Sequence, residues 1–242
     1  MPRFLFALLV ALLALASACV CRVAEPAEQH RDCPTFEEWI VSISPRVLCV
    51  GDSITEGTDS DGGYRSKLYD RVAGLTFVGP YTTSNRVGLD LAHAGQSGER
   101  ADEIEATSEA DTWMATYTPD IVLVQVGTND LIQGASSTTT RDRIDALALS
   151  LATARPASKI VILGVPFGTY SGSASIAVVN AALPAIARAH RVAGRDVVYY
   201  DAANLLSAGD MAESTHPSLS GYGKLADEVE RVFRSIYRDA TL

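Results

Sequence analysis

Residues 47–57 have the sequence VLCVGDSITEG, in which four apolar residues run directly into Gly-Asp-Ser. A short, continuous apolar run bounded by turn residues predicts a buried β-strand. Gly51 permits a sharp turn after this strand, so Ser53 is expected at its carboxyl end, where open α/β sheets bind ligands. Two interpretations of Ser53 stay open from these residues alone: a side chain whose hydroxyl points into a crevice, or a residue that caps the following helix.

The rest of the chain alternates between strand and helix patterns. Apolar runs predict further strands at residues 75–78, 121–126, 159–163 and 197–201. Helix-forming composition or helical spacing predicts helices at residues 64–72, 99–116, 141–154, 175–190 and 220–237. Such alternation indicates βαβ units. We therefore predict an α/β fold with three α/β/α layers, a mostly parallel five-stranded sheet and one domain over residues 46–242.

Composition limits the classes of partner. The chain has 242 residues, of which 47% are hydrophobic and 20% are charged, and this composition is typical of a globular α/β domain. The formal net charge is −9. Because a negative field repels polyanions, nucleic acid and anionic lipid surfaces are not expected as partners, and a neutral substrate is favoured.

The first residues have the features of an export signal. Arg3 precedes an apolar run at residues 4–16, and Ala16-Ser17-Ala18 has the form of a signal-peptidase site. We predict a secretory signal peptide at residues 1–18, too short for a stable membrane span, and a lead-in at residues 19–45. The protein is then expected to be secreted. The alternative is a cell-surface lipoprotein with a lipid on Cys19.

Export of the protein would affect the oxidation state of its four cysteines. In an oxidising compartment, a Cys21–Cys33 or a Cys19–Cys33 bridge is expected, without a means of choosing between them. Cys49 lies inside the first predicted strand and is expected to be a small buried side chain. The cysteine spacing does not indicate a metal site, and neither a metal nor a cofactor is predicted.

Several positions with polar side chains or an available backbone N–H follow the predicted strands or lie in the loops that join them to helices. They are Ser53, Gly98, Asn129 and the segment 213–217, Glu-Ser-Thr-His-Pro. In an open parallel sheet these positions converge on one edge. Nucleophilic catalysis needs this combination: a hydroxyl, a base within hydrogen-bond reach, and donors where an oxyanion develops.

The order of these motifs resembles that of the GDSL, or SGNH, hydrolases. Gly51-Asp52-Ser53, the glycine of Ser97-Gly98, the segment 127–130 (GTND) and His216-Pro217 follow one another over about residues 47–237. More narrowly, the segments 62–65 (GGYR), 77–79 (FVG) and 93–98 (HAGQSG) resemble carbohydrate esterase family 3, the acetylxylan esterase-like branch.

The resemblance implies a flavodoxin-like α/β/α fold and a role for each matching residue. Ser53 is the implied nucleophile, and His216 is the implied general base and acid. The backbone N–H groups of Ser53 and Gly98, with the side-chain amide of Asn129, are the implied oxyanion hole. No cofactor is implied.

One position departs from the family pattern. The family usually has aspartate three residues before the histidine, and this chain has Glu213 there. Glutamate can accept the imidazole N–H after a small backbone shift. The alternatives are Asp210, a backbone carbonyl that orients the ring, or a Ser–His dyad without an acid.

These observations predict a secreted serine esterase that removes acetyl or other short acyl groups from a carbohydrate. The acetyl preference comes from the resemblance to the branch. Two alternatives remain: a lipase or lysophospholipase of the same superfamily that acts on longer acyl chains, and a carbohydrate-binding domain of the same fold without catalytic activity. The expected partner is an acylated carbohydrate or another small ester.

Overall fold

The structure is a computed structural model that describes residues 34–57, 62–82, 91–106, 109–201 and 204–241. The predicted signal peptide at residues 1–18, the Cys19 lipid and the bridges of Cys19, Cys21 and Cys33 lie outside the described residues. None of the helices in the described ranges combines the length and the apolar character needed to cross a membrane.

The centre of the molecule is a seven-stranded sheet. Its strands are β1 (Arg46–Gly51), β2 (Thr76–Val78), β3 (Tyr81–Thr82), β4 (Ala92–Gly95), β5 (Ile121–Gln125), β6 (Lys159–Leu163) and β7 (Val197–Tyr200). The order is β3-β4-β1-β5-β6-β7, and β2 also pairs with β1. All pairings are parallel except that of β3 with β4.

The prediction of a mostly parallel sheet between helical layers is confirmed, and the predicted count of five strands is corrected to seven. All five predicted strands are present. The additional strands are β3 and β4, which continue the sheet beyond β1. Strand β4 has the sequence Ala-His-Ala-Gly, which lacks the apolar run that marks the other strands. Strand β2 pairs with residues 46–48 of β1 and β4 pairs with Val50 and Gly51, so the two share one edge.

Helices cover both faces of the sheet. They are α1 (Phe36–Ile43), α2 (Ser53–Glu56), α3 (Gly63–Arg71), α4 (Ala101–Ala106), α5 (Glu109–Tyr117), α6 (Thr128–Ile132), α7 (Ser137–Ala154), α8 (Ile176–Val192) and α9 (Leu219–Thr241). Residues 36–43, within the predicted lead-in, form a helix. Its start is fixed by a capping box in which Thr35 accepts from the Glu38 N–H and Glu38 accepts from the Thr35 N–H.

Alternating side chains of β1 pack into two separate cores. Leu48 and Val50 join the core formed with α4, α5, α7 and α8, whereas Val47 and Cys49 join the core formed with α1, α3 and α9. The alternation follows from the two-residue period of a strand. Cys49 is fully buried with a free thiol, as predicted, and burial raises the pKa of that thiol to about 11. Strand β1 is thereby held rigidly beneath the loops that follow it.

Candidate active site

Ser53 is the first residue of α2, directly after β1. The helix is capped by Asp52, whose side chain accepts a hydrogen bond of 3.0 Å from the Ile54 N–H. The interpretation of Ser53 as the capping residue is therefore wrong. The Ser53 side chain does not form the capping hydrogen bond, and the residue is only 9% exposed. Burial raises the pKa of the Asp52 carboxyl to about 7.

The Ser53 hydroxyl meets the His216 ring. The distance from Ser53 Oγ to His216 Nε2 is 2.8 Å, and the two residues are 163 positions apart in the chain. His216 precedes α9, in a loop closed by a bridge between Met211 and Pro217 and by a bond of 2.9 Å from the Ala212 N–H to the His216 carbonyl. The imidazole side chain is 32% exposed, so it borders both the protein interior and solvent.

Glu213 lies against the opposite side of the ring. Its Oε1 is 2.5 Å from His216 Nδ1 and also accepts from the His216 N–H at 2.7 Å. Its Oε2 accepts from the Thr215 N–H at 2.9 Å and from the Ser214 hydroxyl at 3.1 Å. Partial burial opposes ionisation, but these hydrogen bonds outweigh it and hold the pKa of Glu213 below its usual value.

Asp210, the competing acid, is engaged elsewhere. Its carboxylate accepts from the N–H and hydroxyl of Ser207 at 2.9 and 2.8 Å and from Lys224 Nζ at 2.7 Å. The hydrogen bonds from Lys224 and Ser207 lower its pKa to about 2. Asp210 thus stabilises the start of the loop that carries Glu213 and His216. The hydrogen-bond partner of the His216 Nδ1 is Glu213.

Asn129 and Gly98 belong to two segments that are bonded together. Asn129, 8% exposed at the start of α6, donates from its side-chain amide to the Glu99 carbonyl at 3.0 Å. Gly98 has a φ of 84°, in the left-handed region that favours glycine. Its carbonyl accepts from the Gln133 side chain at 3.0 Å. The structure therefore places Asn129 beside the loop that contains Gly98.

Two polar residues absent from the sequence-based site also hold this loop. Asp130 is fully buried and accepts from the Ala101 N–H and from Arg143, both at 3.0 Å. Gln133, at the end of α6, accepts from Arg100 at 2.6 Å in addition to its bond to Gly98. Burial is the main influence on Asp130 and raises its pKa. The GTND motif was the signal for Asp130, whereas no local pattern indicated Gln133.

An open cleft of about 680 Å³ begins beside α2. Its described lining side chains are mostly polar, with Glu56 on one wall and Tyr81 on another, and it reaches Glu99 in the loop next to Gly98. The Ser97 N–H donates to Glu56 at 3.0 Å and so joins α2 to that loop. Arg65, fully buried, donates to the Glu56 carbonyl at 3.2 Å and supports the same wall.

The described part of the chain contains no group of three or more histidine, cysteine, aspartate or glutamate side chains that could hold a metal ion. The described geometry instead joins a hydroxyl, an imidazole and a carboxylate in series. This series can move a proton from Ser53 Oγ to His216 Nε2 while Glu213 stabilises the positive ring. Such an arrangement is suited to nucleophilic attack by the serine oxygen on an acyl group.

Comparison with solved structures places the fold among esterases. A family 3 carbohydrate esterase from Clostridium thermocellum is 26% identical, with a TM-score of 0.66 over 80% of this chain and 98% of that one. A carbohydrate esterase family 3 protein from Talaromyces cellulolyticus is 23% identical, with a TM-score of 0.67 over 81% of this chain and 99% of that one. At that identity, the second likeness concerns the fold alone.

A curated relative and a family match complete the comparison. A multidomain esterase from Ruminococcus flavefaciens is 28% identical over 211 residues, covering 74% of this chain. The chain spans only about a quarter of that relative, 27% of its length. Residues 49–224 match the GDSL-like lipase/acylhydrolase family, a range that includes the Gly-Asp-Ser motif and His216. The chain therefore belongs to the GDSL-like lipase/acylhydrolase family.

Proposed function

We propose that this protein is a secreted serine esterase that removes acetyl or other short acyl groups from a carbohydrate. The observation that carries the proposal is the continuous series Ser53–His216–Glu213, with contacts of 2.8 and 2.5 Å. The likeness to the carbohydrate esterase of C. thermocellum supports the carbohydrate substrate. Secretion rests on the sequence of residues 1–18.

In the proposed reaction, Ser53 Oγ attacks the acyl carbonyl carbon while His216 Nε2 takes the hydroxyl proton. The N–H groups of Ser53 and Gly98 and the Asn129 amide stabilise the resulting oxyanion. As the tetrahedral intermediate collapses, His216 returns the proton to the departing sugar oxygen and an acyl-enzyme ester remains on Ser53. Water, deprotonated by His216, then hydrolyses that ester, releases the carboxylic acid and restores the serine.

The proposed short-acyl preference is tested by chain length. Hydrolysis of p-nitrophenyl acetate is compared with that of the octanoate, and acetate release is measured on acetylated polysaccharides with Ser53→Ala as the control. We expect a higher kcat/KM for the acetate ester and acetate release from at least one polysaccharide. A strong octanoate preference would contradict the acetyl assignment and favour a lipase. A well-folded protein without any ester hydrolysis would favour a binding domain.

Asn129→Ala is expected to lower kcat by about 10²–10³, because one of three oxyanion donors is lost while the other two remain. The measurement is the steady-state rate on p-nitrophenyl acetate. Asn204→Ala is the matched control, since Asn204 is exposed and donates only to Asp201 among the bonds described. Wild-type rates in the Asn129 variant would remove this residue from the oxyanion hole.

Glu213→Gln is expected to lower kcat by about 10³. Loss of a triad aspartate costs about 10⁴ in a serine protease, and the effect here is smaller because the Glu213 side chain is 50% exposed and water can partly replace it. The rate is compared with that of Asp210→Asn. A loss of less than tenfold in Glu213→Gln with a large loss in Asp210→Asn would assign the acid to Asp210. Small losses in both would indicate a Ser–His dyad.

A further inference from the structure

The open cleft beside α2 adjoins the segments that carry the proposed reacting groups. Glu56 lies on the same four-residue helix as Ser53, and Glu99 accepts the Asn129 amide through its carbonyl. Both residues line the cleft. Neither Ser53 nor Asn129 lines the cleft itself, but each is joined to a segment that does, so the cleft is placed to hold a part of the substrate that extends away from Ser53.

The chemistry of the cleft walls suits a sugar ring better than an acyl chain. Pro80 supplies the only wholly aliphatic side chain among the described lining residues, whereas Gln96, Ser97 and Thr82 present hydrogen-bonding groups. A hydrocarbon chain would gain little there, because its transfer from water is favourable only against apolar surface. The volume of about 680 Å³ is in the ordinary range of small-molecule sites.

Tyr81 gives this cleft one aromatic face. It lies on the edge strand β3, is 39% exposed, and its ring centroid is 6.0 Å from that of His93. The Tyr81 hydroxyl donates to the Gln96 side chain at 3.4 Å. A tyrosine combines apolar contact area with a polar tip, and such a surface matches a sugar, which has C–H groups on its faces and hydroxyls at its rim.

The cleft also has a definite charge. Glu56 and Glu99 are acidic, and neither lysine nor arginine is among the described residues that line it. His93 adds no positive charge near neutral pH, because burial and the neighbouring Arg65 charge lower its pKa to about 3. The His93 Nδ1 accepts from the Gly95 N–H at 3.0 Å, as expected for a neutral ring. Arg65 lies behind this lining, so the charged side chains that a ligand carboxylate would meet among the described lining residues are Glu56 and Glu99, both of like charge.

We propose that this cleft binds the sugar ring that carries the acyl group, with Tyr81 as the contact surface, and that it selects uncharged sugars over uronic acids. The proposal rests on the proposed function and specifies its substrate class. Tyr81 is a substrate-binding residue in this scheme and takes no part in the proton transfers, so its effect is expected in KM for sugar esters.

The contact with Tyr81 is tested with two acetate esters. On an acetylated methyl xyloside, Tyr81→Ala is expected to raise KM about tenfold, since the aromatic contact is lost. On p-nitrophenyl acetate, which has no sugar, the loss is expected to be smaller, so the ratio of kcat/KM for the xyloside to kcat/KM for p-nitrophenyl acetate is expected to fall several-fold below the wild-type ratio. Tyr81→Phe keeps the ring and is expected to raise KM for the xyloside much less than Tyr81→Ala does. Equal KM values in wild type and Tyr81→Ala on the xyloside would overturn the contact.

The charge selection is tested with a matched pair of acetylated methyl galactosides: the 6-carboxylate and its methyl ester. We expect kcat/KM to be about tenfold higher for the methyl ester at low salt. The ratio is expected to fall towards one at about 1 M NaCl, where the screening length is about 3 Å. Glu99→Gln is expected to reduce the ratio of kcat/KM for the methyl ester to kcat/KM for the 6-carboxylate. A general loss of activity would lower both values equally and leave this ratio unchanged. Equal rates for the pair at low salt would overturn the selection.

A wrong proposed function and a wrong assignment of the cleft would give different results in these assays. If the wild-type protein hydrolyses p-nitrophenyl acetate but none of the acetylated sugars, the carbohydrate substrate is wrong and the cleft assignment falls with it. If wild type releases acetate from the sugars and Tyr81→Ala does so with unchanged KM, the proposed function stands and only the assignment of the cleft is overturned.

Discussion

Ser53→Ala is expected to lower kcat for p-nitrophenyl acetate by about 10⁶, the loss observed when the nucleophile of a serine hydrolase triad is removed. A methyl group has no lone pair to attack the ester and no proton for His216 Nε2, which lies 2.8 Å from the wild-type hydroxyl. The residual rate comes from the remaining oxyanion donors and substrate binding. The measurement is the steady-state rate with enzyme in large amount, so that slow turnover is detected.

Covalent labelling gives the same test a second readout. A fluorophosphonate is expected to modify wild type on Ser53 and to leave Ser53→Ala unlabelled, as read by intact mass. Ser42→Ala is the matched control, because Ser42 is an exposed serine on α1 whose hydroxyl bonds only to the Trp39 carbonyl among the described contacts. Labelling of Ser53→Ala with the same stoichiometry as wild type would place the nucleophile elsewhere.

His216→Ala is expected to lower kcat by about 10⁵–10⁶, because without a base the Ser53 hydroxyl stays protonated near neutral pH. Its side chain is 32% exposed, so the variant leaves a space open to solvent. Added imidazole is therefore expected to enter that space and to restore part of the rate in a concentration-dependent way. The measurement is kcat against imidazole concentration.

Two comparisons make this result specific. Ser53→Ala is expected to show no imidazole rescue, since its missing group is the nucleophile and not the base. The double variant is expected to be about as slow as either single variant, because the two residues act as a unit. Rates in His216→Ala within tenfold of wild type would exclude this histidine as the base, and additive losses would separate the two residues functionally.

The fold was largely predictable because buried parallel strands are continuous apolar runs. Strands β1, β5 and β6 are nearly all buried and were evident from hydrophobicity alone. Strand β4 was not evident from hydrophobicity. Its alanines and glycine are small residues that allow neighbouring segments to approach closely, and they do not form a run of large apolar side chains. A side chain at Gly95 would meet the Glu56 backbone N at 2.6 Å. Such close approach has no signature in a hydrophobicity pattern.

The site was predictable where its residues belong to a recognisable sequence motif. The sequence singled out Ser53, Glu213 and His216, and the structure brings their side chains within hydrogen-bond distance. Their roles stay predictions. The bond of Gln133 to the Gly98 carbonyl, 35 positions away, was not predictable, because neither residue type marks such a contact. That bond depends on how α6 is set against the loop, which only the packed structure defines.

The separation of 163 positions between Ser53 and His216 has a consequence for biosynthesis. The serine leaves the ribosome long before the histidine, and the last helix, α9, must still dock on α3 and α1 to seat the loop that carries the imidazole. If the proposed roles hold, a nascent chain that ends before this helix is expected to be inactive even when its sheet has formed. The onset of ester hydrolysis would thus mark completion of the C-terminal segment, and could time that final docking step in a refolding experiment.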